Sequence, residues 1–341
     1  MSEPSATPTT RSEPPHRALP ARGVEWLLQG RLPTATAFVL LAITLGVNLV
    51  VSPNFLTAFN LRSVFASAVP LAAVAVGQTI IVLGRGIDLS IGTVVGLSSV
   101  VTVSLVEPIG LPGALLAGLA VGAACGLVNG ILVAVVRLQP IIATFATSFV
   151  WAGLALYVLP PSAASGVAAP RMPEGVVRGY RGDVLGVPNA ALLILALALL
   201  WIVLKRTRLM RHIYAVGGDE QAAYASGVEV VRTQVATYVL GGLFAGLAAF
   251  ATLANSGSGD ALAGGGLTLA SVAALVIGGT RLSGGAGGAG GSLVGVLVLQ
   301  LLNTIVVSLR PPTNARQLID GLLVIGALAL AGLWSERRRG R

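Results

Sequence analysis

The chain has 341 residues, of which 55% are apolar and only 10% charged, with 44 glycines and a net charge of +9. A soluble domain carries about a quarter of charged residues, so the composition describes an all-α polytopic membrane protein, and its glycine content suits closely packed transmembrane helices. The positive charge does not point to nucleic acid, because the arginines are spread over tails and loops with no basic face interleaved with aromatics.

Residues 1–31, rich in Pro, Ser, Thr and Arg, read as a disordered cytoplasmic tail, with Val24 to Leu28 as a possible short interfacial helix. No apolar stretch followed by a small-residue cleavage site marks a signal peptide. A hydrocarbon core of about 30 Å needs about 20 apolar residues per helix. On that ruler residues 32–335 divide into ten spans, near 34–52, 66–84, 89–106, 112–136, 140–160, 188–204, 233–254, 267–279, 290–308 and 317–334. The eighth is short and glycine-flanked, as in a broken or tilted span. Between the sixth and seventh lies a polar island, residues 205–232, and residues 336–341 form a basic tail.

Basic residues are retained on the cytoplasmic side of a bilayer, and the island or its edge holds Lys205, Arg206, Arg208, Arg211 and Arg232. With that loop and both termini inside, sixteen of the 22 basic residues fall on cytoplasmic segments, including Arg85, Arg137 and Arg281. Six fall outside: Arg62, Arg171, Arg178, Arg181, Arg310 and Arg316.

Gly118, Gly122, Gly126 and Gly130 leave a bare stripe on the fourth span for another backbone to approach, a packing device rather than a ligand site. Gly242 with Gly246, and Gly287 with Gly291 and Gly295, repeat it. Gly285, Gly287 and Gly290 match the spacing of a dinucleotide fingerprint by chance, since no strand precedes them and no acidic residue follows at the required distance.

Several chemistries are excluded. A phosphate-binding P-loop needs a lysine after its glycines, and the one lysine, Lys205, follows an apolar run; no catalytic constellation, cofactor fingerprint or metal-ligand cluster appears. Cys125 is the single cysteine, so the chain forms no internal disulfide, and His16 and His212 are isolated. Arg85 and Asp88 stand between two apolar helices, where charge is costly and often functional; Asp88 is placed to cap the next helix through its free N–H groups.

These residues resemble the permease subunits of ATP-binding-cassette sugar importers, the group with the ribose, xylose and galactose permeases. The resemblance covers Ser52 to Trp334 and rests on SPNFLT (Ser52 to Thr57), GIDLS (Gly86 to Ser90) with the preceding GQT, IAT (Ile142 to Thr144), RHIYAVGGDEQAAYASGV (Arg211 to Val228) and IGGTRLSGGAGGAGGSLVG (Ile277 to Gly295). It implies a type II importer-like permease of the bacterial inner membrane. Its partners would be ABC ATPase subunits, an extracytoplasmic solute-binding protein and a second permease subunit, likewise embedded in membrane lipids. Within EQAAYASG, Glu220, Ala222, Ala223 and Gly227 match the motif by which permeases dock on their ATPases. Arg211, Gly217 and Gly218 flank it, and the alanines favour a short helix over Asp219 to Ser226.

The resemblance also marks Arg85, Gly86, Asp88, Ser90, Thr144, Gly278, Gly279 and Thr280 as a translocation or structural motif. Asp219, Arg281 and Ala152 depart from the family pattern. The implied activity is passage of a small solute, a monosaccharide or related polyol-like compound, worked by a separate ATPase. The alternatives are a branched-chain amino-acid permease of the same mechanism, and an ion-coupled transporter, which would require several membrane-embedded carboxylates.

Overall fold

The computed structural model describes residues 22–158 and 168–309, with Leu318, Gly321, Leu322 and Gly326 beyond them. Apart from those four residues the tenth expected span lies outside the described residues, as do both extreme tails. Helix α1 runs Arg22–Val51, so it begins inside the stretch 1–31 expected to be disordered. Then come α2 (Ala58–Leu83), α3 (Ile91–Gly130) continued by a π-turn at Ile131–Val135, and α4 (Pro140–Val158).

The 40 residues of α3 are two helices. At 1.5 Å per residue they would measure about 60 Å straight, twice a hydrocarbon core. Between Pro108 and Pro112, Gly110 takes φ 72° and ψ 164° and turns the chain back. A β-carbon on Gly118, in the second arm, would overlap the Thr102 hydroxyl of the first. The third and fourth expected spans are therefore the arms of one hairpin.

After α4 the chain forms β1 (Ala168–Arg171), α5 (Glu174–Arg181), and the two-residue strands β2 (Asp183–Val184) and β3 (Val187–Pro188). Next are α6 (Asn189–Lys205), α7 (Arg208–Gly218), α8 (Glu220–Ala225), α9 (Val230–Ser256), β4 (Ser258–Asp260), α10 (Leu267–Ile277) and α11 (Ala289–Ser308). The strands qualify the all-α expectation only outside the apolar helices. β1 pairs antiparallel with β4, β2 with β3, and Arg62 at the start of α2 forms an ion pair with Asp183.

Five of the described helices are long and apolar enough to cross a membrane, with α3 taken as one; α6 and α7, bent by 77°, make a sixth if joined. This makes the chain a multi-pass membrane protein. Helix α2 sits at its centre, buried continuously from Ala68 to Leu83, whereas α4 exposes Phe145, Phe149 and Tyr157 to the surroundings.

The glycine stripe does pack a backbone. A β-carbon on Gly122 would overlap the Gly242 carbonyl and one on Gly126 the Tyr238 carbonyl, so α3 and α9 meet main chain to main chain. The eighth expected span, 267–279, is the short unbroken helix α10. The polypeptide before it passes α3 as irregular backbone, with Ala261 against Gly96 and Gly264 against Gly92; Gly92 N donates to Thr268 Oγ1 at 3.1 Å. Non-helical backbone at such a place must be buried in protein, and side-chain-free positions on α3 let it approach.

Gly122→Val should lower thermal stability in detergent by about 1–3 kcal/mol through overpacking, whereas Gly153→Val, with open space around it, should leave it unchanged. Equal melting temperatures for the two variants would contradict this account of the stripe.

Candidate functional site

The site is built where three chain segments converge at one end of the bundle. Helix α2 closes on Gly86 N donating to Ile81 O at 3.0 Å and Arg85 N to Val82 O at 3.0 Å. This is the left-handed closure in which glycine usually occupies the residue that here is Arg85, at φ 67°. Helix α10 ends in the same way, with Thr280 N donating to Leu275 O and Gly279 N to Val276 O, both at 2.9 Å, and glycine in the left-handed place, Gly279 at φ 82°.

Beyond Arg85 the chain reaches a buried polar network. The Asp88 carboxylate accepts from Ser90 N and Ser90 Oγ, both at 2.7 Å, and from Asn129 Nδ2 at 3.2 Å. Asn129 also donates to Ser90 Oγ at 2.7 Å and accepts from Thr147 Oγ1 at 2.8 Å. Thr144 Oγ1 accepts from Leu89 N at 3.0 Å and donates to Pro140 O at 2.8 Å. Gln78, its carboxamide turned to satisfy both ends, donates to Asp88 O at 3.3 Å and accepts from Asp88 N at 3.2 Å.

Asp88 thus serves the start of α3, through an Asx turn at Ser90 rather than as the N-cap itself, which is Ser90. Every partner of its carboxylate is neutral, and no cation lies in salt-bridge reach among the described residues.

The second segment is the glycine-rich loop between α10 and α11. Gly288 N donates to Thr280 Oγ1 at 3.2 Å, and Arg281 N to Ala286 O at 3.0 Å. Gly285, at φ 68°, sends its N–H to Leu83 O at 3.1 Å, pairing a carbonyl that the end of α2 leaves without a helical partner. Gly278 lies against Gly291, which lets α10 and α11 cross closely.

The third segment is the end of α7. A β-carbon on Gly217 would overlap the Leu83 carbonyl and approach Gly285 N to 2.6 Å, and one on Gly285 would approach Gly218 N to 2.6 Å. Leu83, Gly217 and Gly285 therefore form a junction of bare backbones. Tyr214 OH ties α7 to the same loop by donating to Gly287 O at 2.8 Å. Burial pushes the Tyr214 phenol up to about 12, so it stays a donor at physiological pH.

Past the junction α8 is short and well defined. Asp219 caps it, Oδ1 accepting from Ala222 N at 3.0 Å. It ends with Gly227 N donating to Tyr224 O at 2.9 Å and Val228 N to Ala223 O at 3.0 Å, with Gly227 at φ 82°. Ala223 packs inward on Val216, Val228 and Val230, while Glu220, Gln221, Ala222 and Tyr224 face out. Of the two alanines in the motif, Ala223 is thus buried and Ala222 exposed, because neighbours on a helix point about 100° apart. Arg211 is exposed and donates to Arg206 O at 3.1 Å, within the loop.

The residues marked from sequence therefore separate into three groups. Asp88, Ser90 and Thr144 share one network, to which Gly86 and Arg85 lead; Gly278, Gly279 and Thr280 shape the α10 closure; and Gly217 and Gly218 join both to the loop. Sequence reading missed Asn129, Thr147 and Gln78. Each is a polar residue inside an apolar span, which is the signal that such positions carry.

A family model described as branched-chain amino acid transport system / permease component matches residues 60–328. The chain belongs to this family. Among its relatives, the D-allose transport system permease protein of Escherichia coli K12 is 32% identical over 88% of this chain and 91% of the relative. The ribose import permease protein of Bacillus subtilis is 34% identical over 82% and 87%, and the fructose import permease protein of Rhizobium meliloti is 33% identical over 87% and 85%. No solved structure matches. The site segments, from the end of α2 to the α10–α11 loop, lie inside the matched range, whereas α1 precedes it.

Asn129→Leu, which deprives Asp88, Ser90 and Thr147 of a partner, should destabilise the protein by about 1–3 kcal/mol, the cost of leaving buried polar groups unpaired. Thermal unfolding of the purified variant measures it; an unchanged midpoint would show that the network is not held by Asn129.

Proposed function

We propose that this permease passes a monosaccharide or related polyol-like solute from an extracytoplasmic binding protein to the cytoplasm, and that separate ABC ATPase subunits drive it by docking on the α7–α8 loop. The observation that carries the reading is the backbone junction: the surface helix α8, presenting Glu220, Gln221, Ala222 and Tyr224, follows directly on α7, whose end is wedged through Gly217 against the end of the most buried helix and the α10–α11 loop. Movement imposed on α8 meets no flexible side chain before it meets the core. The names of the relatives, permeases for allose, ribose and fructose, support a sugar.

The branched-chain amino-acid alternative has the family description in its favour, but those sugar permeases are similar over most of both chains. An ion-coupled mechanism is disfavoured because Asp88 is the one buried acidic side chain among the described residues, and it is fully engaged by neutral donors.

The reading includes ten spans with both termini cytoplasmic, and two permease copies per working unit. The break at Gly110 divides α3 into two arms, and the shorter apolar helices Ala35–Val51 and Leu267–Ile277 add to the long ones. Arg85, Arg137 and the island lie at the end of the bundle opposite the Arg62–Asp183 pair, the sorting that retention of basic residues inside requires.

Cells expressing this chain with its ATPase and binding protein should accumulate a labelled pentose or hexose in an ATP-dependent way; uptake of leucine or isoleucine in place of sugar would contradict the proposed solute class. Gly227→Val forces a β-branched residue into the left-handed exit turn at a cost on the order of 1–2 kcal/mol. It has open space around it, so it should leave the permease folded while reducing both ATPase co-purification and uptake. Wild-type values for both would remove α8 from the docking role.

A further inference from the structure

Three described residues other than glycine have positive φ, and two of them, Arg85 at 67° and Arg137 at 62°, line the same cavity. Arg85 occupies the closure position that α8 and α10 give to Gly227 and Gly279. Arg137 follows the π-turn, whose exit is held by Leu138 N donating to Leu132 O at 3.0 Å. Left-handed backbone is unfavourable for a residue with a β-carbon, and such strain persists where the surroundings impose it and the side chain is used. Here it places two guanidinium groups around one space.

The cavity measures about 930 Å³ and lies behind α8, with Gly218, Asp219, Glu220 and Tyr224 forming its opposite wall. Both arginines are exposed, and neither guanidinium makes an ion pair or hydrogen bond among the described residues. The wall carries both signs of charge, since Glu220 is also unpaired there while the Asp219 carboxylate is occupied with the α8 cap.

We propose that Arg85 and Arg137 form a socket for an acidic side chain of the ATPase, inserted behind the docking helix so that α8 is gripped from two sides. The inference rests on the docking reading above. Charge complementarity selects this occupant: a protein segment can set a carboxylate between the arginines and a basic neighbour beside Glu220, whereas a lipid phosphate would face Glu220 and Asp219 with like charge. Guanidinium groups suit carboxylates because they present paired donors in a fixed plane.

The test uses the full-length permease in phosphatidylcholine nanodiscs and measures the Kd of its ATPase at low and at high salt. Arg85→Gln and Arg137→Gln should each weaken binding by about five- to tenfold at low salt and flatten its salt dependence, as expected for lost charge pairs at an interface. Their melting temperatures should match wild type. Arg85→Gly, which removes the charge and relieves the backbone, should bind as weakly as Arg85→Gln. Ala222→Trp, on the outer face of α8, reports on the docking reading itself. If it abolishes binding while both arginine variants bind as wild type, the socket is wrong and the docking reading stands; if it too binds as wild type, both fall. Retention of phosphatidylglycerol by wild type but not by the arginine variants, with ATPase affinity unchanged, would make the cavity a lipid site and overturn the proposal.

Discussion

The structure depends on the requirement that main-chain groups away from water find partners within the protein. At the end of α2 that requirement is met by another segment: Leu83 O accepts the N–H of Gly285, and Gly217 presses against the same carbonyl. No residue with a β-carbon fits at Gly217 or Gly285. The glycines are thus what allows helices α2 and α7 and the α10–α11 loop to share one point, and a side chain at any of them would separate the polar loop from the buried helices.

The Asp88 network has a complementary job. It organises the chain between α2 and the first arm of α3, where two helices must meet without a spacer. The carboxylate is surrounded by amide and hydroxyl donors, so it fixes the positions of Ser90, Asn129 and the backbone of α3 rather than answering a counter-charge. Thr144 and Thr147 then bring α4 into the same arrangement. The polar residues of four helical segments become one rigid block beside the junction.

Much of this was legible in the sequence. Hydropathy located the apolar helices, the spacing of Gly118, Gly122, Gly126 and Gly130 announced a backbone contact, and the alanines with Gly227 marked α8 and its exit. What sequence could not supply was direction. Ala222 and Ala223 are the same residue type, yet one is exposed and the other buried because helical neighbours diverge by about 100°. Nor does a local pattern show that Gly217 and Gly285 meet at Leu83, since that contact belongs to the tertiary arrangement. The strain at Arg85 and Arg137 was invisible for the same reason: arginine gives no sign of a left-handed backbone, whereas glycine at Gly279 and Gly227 does.

The central claim is that the α7–α8 loop and the α10–α11 loop, joined at the end of α2, move as one body when the importer turns over. Distances between spin labels placed at Ala215 and Leu282, both exposed, in a Cys125→Ala background would test it in the assembled transporter. The account predicts one unchanged distance distribution with and without bound ATP, while the distance from Ala215 to Val187 at the opposite end changes. A loop that shifts relative to Leu282 on ATP binding, with the bundle otherwise still, would contradict it.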